Sequence, residues 1–307
     1  MARGERQRPS IYFGKPGALV TLPWPRGDID RTYERATYDF VTGSGQHAVS
    51  SMAGGSRIYT MKWNALHIDT FRLLEQYWTG QMGLGPWALI DPSAPNLLLG
   101  NQASATNLFY DNRGWSTGLE GTLTSSTPTG IYVRRAGGTR NLRWQFNGSI
   151  GSFPVLKLTP PYRNWAGFPV MQGLPYTFSA ALRPDSVVDT SITVAAKIMW
   201  HDATGAQLTE SSGGDFALTG WTALSVTANP VANAAYAYPR FVATGSTITQ
   251  YSSLYIDEVQ FEQDSVVNPW APGTGIRAVE ILSLTENVPF AARARTDISM
   301  VLRELAI

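Results

Sequence analysis

The chain has no cysteine. That absence excludes disulfide staples, thiolate nucleophiles and thiolate metal sites, and it leaves the redox compartment open. Charge is scarce as well: 15% of the 307 residues are charged, and 24 basic against 23 acidic side chains leave a net +1. So neutral a chain lacks the broad positive field on which nucleic-acid and acidic-membrane binding depend, and neither partner is expected. No stretch approaches the ~18 consecutive apolar residues of a membrane span. The basic opening MARGERQRPS is not followed by an apolar run, so export by a simple signal is not expected either.

Catalytic signatures are equally thin. His47, His67 and His201 are far apart and show no metal-ligand spacing, and GSGQH at 43–47 reads as a glycine-rich turn, not a nucleophile elbow. A glycoside hydrolase needs two facing carboxylates, and no pair among Glu120, Asp202, Glu210 and Asp215 is singled out by spacing. The chain is therefore not expected to be an enzyme.

What is present is the composition of a mainly β protein: 10 Trp, 13 Tyr and 29 Gly in a sequence whose polar residues are mostly Ser, Thr, Asn and Gln. GALVTLPWP (17–25) reads as a short strand closed by proline. Residues 57–63 alternate like a strand, after which Phe71, Leu74 and Trp78 follow the 3, 4 spacing of one short helix with Asn64 as its cap. WALI at 87–90 is another strand.

DPSAPN (91–96) and NPWAPGTG (268–275) are proline-rich crossings, and the texture changes between them. Helical periodicity gives way to short alternating runs. Leu142, Trp144 and Phe146 form one, Tyr176, Phe178 and Ala180 another, and Ile192, Val194, Ala196, Ile198 and Trp200 share a face of a long strand opposite Lys197 and His201. Trp144 and Trp200 fall among inward apolar residues and are read as core. The pattern is that of a β-sandwich or jelly roll. After 275 two more strands follow, the last with Ile298, Met300 and Leu302 inward, and two strands do not make a domain. The tail is thus expected to complete the sheet begun before residue 92. The reading is a discontinuous β-rich domain of 1–92 and 271–307 with one short helix, carrying an inserted sandwich at 93–270.

The strand–helix unit ending in GLGPWALIDP, together with VNPWAPGTGIRAVEILSL and the final strand, resembles the distal or minor tail proteins of long-tailed bacteriophages over about residues 10–92 and 271–307. NLLLGNQASATN, GWSTGLEG, GLPYTFSAAL, MWHDATGAQL and YIDEVQFEQ resemble, in that order, the landmarks of jelly-roll carbohydrate-binding modules across the insertion. The first resemblance implies a homo-hexameric ring in the virion, between the tail tube and the tail-tip proteins, made in the host cytoplasm. The second implies an outward module for host cell-surface glycan, or a plain spacer. A tail-associated polysaccharide-degrading enzyme and a free-standing adhesin are the rival readings.

Sugar recognition needs aromatic rings on a solvated face with donors nearby. Three clusters offer them: Tyr132 with Arg134; Tyr162, Arg163, Trp165 and Phe168 in the loop PPYRNWAGF; and Tyr236, Tyr238 and Arg240 on one strand face. Edge packing and subunit contact are the plainer readings of all three. Asp257 shares parity with Tyr255, Val259 and Phe261 and is read as pointing inward. The resemblance implies a structural calcium near it, but the early loop LLLGNQAS lacks the acidic partner, which favours hydrogen bonding to loop amides instead. No other cofactor is expected.

Overall fold

The computed structural model describes residues 10–26, 29–34, 37–41, 44, 47–51, 56–91, 94–105, 114–117, 121–126, 141–146, 155–185, 192–244, 253–273, 275–288 and 294–305. The first strands are β1 (Ile11–Lys15), β2 (Ala18–Leu22), β3 (Asp30–Glu34), β4 (Thr37–Val41), β5 (His47–Ser51) and β6 (Ser56–His67). Helix α1 (Ile68–Trp78) and β7 (Trp87–Ile90) follow. Next come α2 (Gly100–Ala103), β8 (Trp115–Thr117), β9 (Gly121–Ser126), β10 (Asn141–Phe146), β11 (Val155–Leu158) and β12 (Phe168–Pro169). The chain continues through β13 (Tyr176–Pro184), β14 (Thr193–His201), β15 (Gln207–Ala217), β16 (Thr222–Ala228), β17 (Tyr236–Thr244) and β18 (Ser253–Glu262). It closes with β19 (Arg277–Asn287) and β20 (Arg295–Glu304). Packing divides these into two units, one of Met1–Lys15, Val20–Leu89 and Arg277–Ile307, the other of Pro16–Leu19 and Ile90–Ile276.

The first unit is built on a seven-stranded sheet in the order β2-β1-β7-β19-β20-β6-β3. Its last two strands are therefore interior: β20 pairs antiparallel with β6, and β19 with β7. Alternation decides which face is buried. Met61 and Trp63 of β6, Ile298, Met300 and Leu302 of β20, and Phe13 of β1 join Phe71, Leu74 and Tyr77 of α1 in one core. The buried stripe of α1 thus runs through Tyr77, and Trp78, which the sequence pattern placed on it, is 47% exposed. The cap also differs from the sequence reading. Strand β6 stays extended past Asn64, so the helix starts late, with His67 Nδ1 accepting the Asp69 N–H at 3.3 Å. β4 and β5 pair with each other as a separate two-stranded sheet. Among the described residues, no helix is long and apolar enough to cross a membrane.

The second unit is a sandwich. One sheet runs β16-β13-β18-β10-β9, the other β15-β14-β17-β11-β8, with β12 also paired to β17. Side chains at alternate positions meet between them: Phe178 of β13 lies 4.9 Å, ring to ring, from Phe241 of β17, and Phe168 of β12 lies 5.8 Å from Phe261 of β18. Ile192, Val194, Ala196, Ile198 and Trp200 are all fully buried, as is Trp144. Gly213 holds one side of the sandwich together, because a Cβ there would fall 2.0 Å from the Ser225 carbonyl oxygen.

A bulge in β18 changes the reading of Asp257. Ala181 pairs with Asp257 but Ser179 pairs with Gln260, and Glu258 at the break has φ of 53°. The extra residue flips parity. Ile256, Val259 and Phe261 face the interior, while Asp257 joins Tyr255 and Gln260 on the outer face of the sheet, contrary to the inward orientation read from alternation. It is still fully buried, and its Oδ1 accepts the Glu258 N–H at 2.9 Å. The segment after β18 covers that face: Gln260 accepts from the Ala271 N–H, and Glu262 accepts from both the backbone and side-chain N–H groups of Asn268. Among the described residues, no three His, Asp or Glu side chains converge as a metal site at Asp257 or elsewhere.

Candidate functional site

The outer face of the β15-β14-β17-β11-β8 sheet carries a cluster of charged and aromatic side chains. Because Ile198 and Trp200 of β14 point inward, Lys197, Met199 and His201 must point outward. The register then sets their neighbours. Lys197 lies opposite Arg240 of β17 and Ser212 of β15; Arg240 lies opposite Lys157 of β11, and Lys157 opposite Ser116 of β8. One step along, Met199 sits between Glu210 of β15 and Tyr238 of β17.

These side chains engage one another. Glu210 accepts hydrogen bonds from Lys197 Nζ at 2.8 Å and from Arg240 Nη2. The Tyr238 hydroxyl is tied to Ser116, the Lys157 ammonium lies 6.0 Å from the centre of the Tyr238 ring, and the His201 ring lies 6.0 Å away on the other side. His201 is itself oriented by the contact of its Nδ1 with the Gly205 carbonyl at 2.9 Å. That turn is fixed by Asp202, whose Oδ1 accepts from the backbone N–H groups of Thr204 and Ala206. A partly buried phenol ring tied at its hydroxyl, beside a guanidinium, two ammonium groups and a carboxylate, combines apolar area with the donors and acceptors that sugar hydroxyls can bond.

Electrostatics follow from the same contacts. Burial pushes the Tyr238 phenol upward, opposed by the bond to Ser116 and the charge of Arg240. The hydrogen bond from Lys197 holds Glu210 below the usual carboxylate range; desolvation, the next largest influence, opposes it, and the bond and charge of Arg240 and the charge of Lys197 add to the lowering. A lowered folded value means the ion pairs contribute fully above the unfolded carboxyl's range and are lost as pH falls through the folded one. Denaturant midpoints measured against pH should therefore fall less steeply on the acid side in Glu210→Gln than in the unmodified chain.

The other sequence-predicted residues fare differently. Tyr132 and Arg134 lie outside the described residues. Tyr236 shares the outer face with Tyr238 and Arg240 but is 7% exposed, because β12 pairs Pro169 against it. Trp165 is also 7% exposed: the turn in which its N–H donates to the Tyr162 carbonyl folds the indole edge-on against the Tyr162 ring, 5.6 Å away. Neither Tyr236 nor Trp165 is thus a solvent-facing platform. Phe168 is core, while Tyr162 is half-buried and Arg163 exposed. The Tyr162 loop and the Tyr236 strand do come together, since Gly167 lets the loop approach so closely that a Cβ there would sit 2.4 Å from the Ala237 carbonyl oxygen. Lys157, Ser116 and Glu210 were not among the sequence candidates for this face.

The opposite sheet carries a groove of about 350 Å³ lined by Ser179, Ala181, Ser225, Gln260, Asn268 and Trp270. Its amides are already committed to the protein, Gln260 to Ala271 and Asn268, and Asn268 to Glu262 and Asp264.

No family model matches the chain, and no curated protein matches it. Among solved structures it is similar to an arabinose-bound GH51 α-L-arabinofuranosidase (12% identity over 56% of this chain and 27% of that one, TM-score 0.42). It is also similar to the enzymatically active domain of tailspike protein 4 of bacteriophage CBA120 (12% identity, 56% and 22%, TM-score 0.40). The chain spans about a quarter of the length of each. A third is the C-terminal family 22 carbohydrate-binding module of Clostridium thermocellum Xyn10B (18% identity, 50% and 89%, TM-score 0.35). Likeness at this level leaves function to be decided by this chain's own residues.

Proposed function

We propose that the sandwich unit binds host-surface glycan and that the discontinuous unit mounts it, as a subunit of a ring, at the tail tip of a long-tailed phage. One observation carries the glycan half: Tyr238, partly buried and tied to Ser116, sits beside the Glu210–Lys197–Arg240 group on the outer face of a sheet. The ring supplies apolar area at low entropic cost, and the charged groups supply directed bonds. The mount is supported by the resemblance of residues 10–92 and 271–307 to distal tail proteins. A sheet edge agrees with it: among the described residues β3 ends its sheet and is exposed at all five positions, a place where a neighbouring subunit can pair. Repetition around a ring lets a shallow site hold by many weak contacts at once.

The work is binding and not covalent chemistry. A general acid needs a carboxyl raised toward neutrality, whereas Glu210 is held the other way by two cations.

Mass photometry of the full chain should show a closed ring, a hexamer by the resemblance; a monomer at every concentration removes the mount. On a glycan array the unmodified chain should bind and Tyr238→Ala should bind about tenfold or more weakly, the loss of one stacked ring. An unmodified chain that binds no glycan leaves the sandwich as a spacer.

A further inference from the structure

We infer that the glycan taken by this face is anionic, a polysaccharide carrying carboxylate or phosphate groups, and that it crosses the strands along the row Lys197, Arg240, Lys157. The inference rests on the glycan-binding reading and narrows it.

The row is a product of register. Lys197, Arg240 and Lys157 are direct cross-strand neighbours on β14, β17 and β11, with Ser212 and Ser116 continuing the row at its two ends. Adjacent strands stand about 4.8 Å apart, so the three cations span about 10 Å, the reach of a disaccharide, at right angles to the strands. Like charges side by side on one face repel unless something neutralises them. Glu210 is the acid that bonds them, and it bonds Lys197 and Arg240 but not Lys157. Among the described residues, three cations less one carboxylate leave a local excess of two positive charges, in a chain whose total is +1. Asp215, the next acid along β15, is exposed and stands opposite Ala195, two positions beyond Lys197.

Two features make this excess more than a solvated patch. The Lys197 and Arg240 side chains are only 22% and 17% exposed, so they have shed much of their hydration, and a counter-charge is worth more to them than to a free surface lysine. Arg240 Nε is out of water and, among the described residues, has no hydrogen-bond partner, leaving one side of the guanidinium fork unused. Among the described residues, the row and the neighbouring Glu210, Met199, Tyr238 line hold no Asn or Gln, so most of the donors they present are charged.

The test uses the full chain with four immobilised probes: polygalacturonate, the same polymer with its carboxyls reduced to alcohols, poly(glycerol phosphate), and duplex DNA. Binding to polygalacturonate or to poly(glycerol phosphate) is expected. It should fall about tenfold in Lys157→Gln, the loss of one charge-assisted contact, with the circular dichroism spectrum unchanged. It should collapse near 1 M salt, where the Debye length is about 3 Å. Which polyanion binds separates a carboxylate ligand from a phosphate one. Equal affinity for the reduced polymer overturns the anionic class while leaving the glycan reading in place. DNA bound as tightly as either polymer also overturns it, since charge alone would then suffice. Silence on all four probes alongside a neutral hit on the array overturns only this inference; silence everywhere removes the glycan reading with it.

Discussion

Trp200→Ala should cost the sandwich unit about 3–5 kcal/mol, the range for emptying a buried indole site. The residue is fully buried on the inner face of β14, between Ile198 and the turn at Asp202, in a strand that pairs on both sides. Its loss has two components. The apolar ring vacates a volume that two hydrogen-bonded neighbouring strands cannot collapse into. In addition, the indole N–H donates to Ser211 Oγ at 3.0 Å, and that hydroxyl loses its donor. Trp200→Phe keeps most of the volume and should recover more than half of the loss. Chemical denaturation of the full chain, followed by tryptophan fluorescence and by protease susceptibility of the sandwich, distinguishes the cases. A loss below about 1 kcal/mol would mean that the indole does not fill this core.

In the other unit the largest effect should come from Glu304→Ala, at about 3–5 kcal/mol. Glu304 lies between two guanidiniums, 3.2 Å from Arg277 Nη1 and 3.6 Å from Arg57 Nε. Arg277 is buried, and desolvation lowers its proton affinity while Glu304 opposes that shift. Burial likewise pushes the neighbouring Tyr59 phenol upward, with Glu304 adding to the effect. Without the carboxylate, two guanidiniums are left near each other in a poorly hydrated site beside the Tyr59 phenol that both contact. The exposed pair of Glu280 and Arg303 on the same two strands is the internal control. Glu280→Ala should cost less than about 1 kcal/mol, because water replaces what is lost. Equal effects of the two substitutions would show that burial does not set the worth of the Glu304 site.

How much of this was legible in the sequence depended on whether a strand kept one face in a core and its period unbroken. In β14 and β20 both held, and the inward sets, Ile192 to Trp200 and Ile298 to Leu302, are buried as the alternation requires. β18 kept its burial and lost its period: one extra residue at Glu258 moved Asp257 to the other face. In β15, QLTESSGGDFA is exposed at most positions and offers no alternation to read. For the site, Tyr238 and Arg240 could be placed on one face because they belong to one strand. Glu210, Lys157 and Ser116 could not, since they come from strands brought together only by a non-sequential pairing order. Trp165 illustrates the opposite error: an aromatic in a polar loop reads as exposed, but a local turn buries it.

The pairing of β6 with β20 also dictates an order of events during synthesis. Arg295 bonds the carbonyl of Ala65, 230 positions earlier. At about 5–20 residues per second, the partner of β6 leaves the ribosome roughly 10–50 s after β6 itself. During that interval Met61 and Trp63 have no β20 beside them, while the strands of the sandwich emerge one after another and pair. The nascent chain must therefore carry a half-built sheet while the sandwich matures, and a chain that stops before Arg295 should leave that sheet without an interior strand.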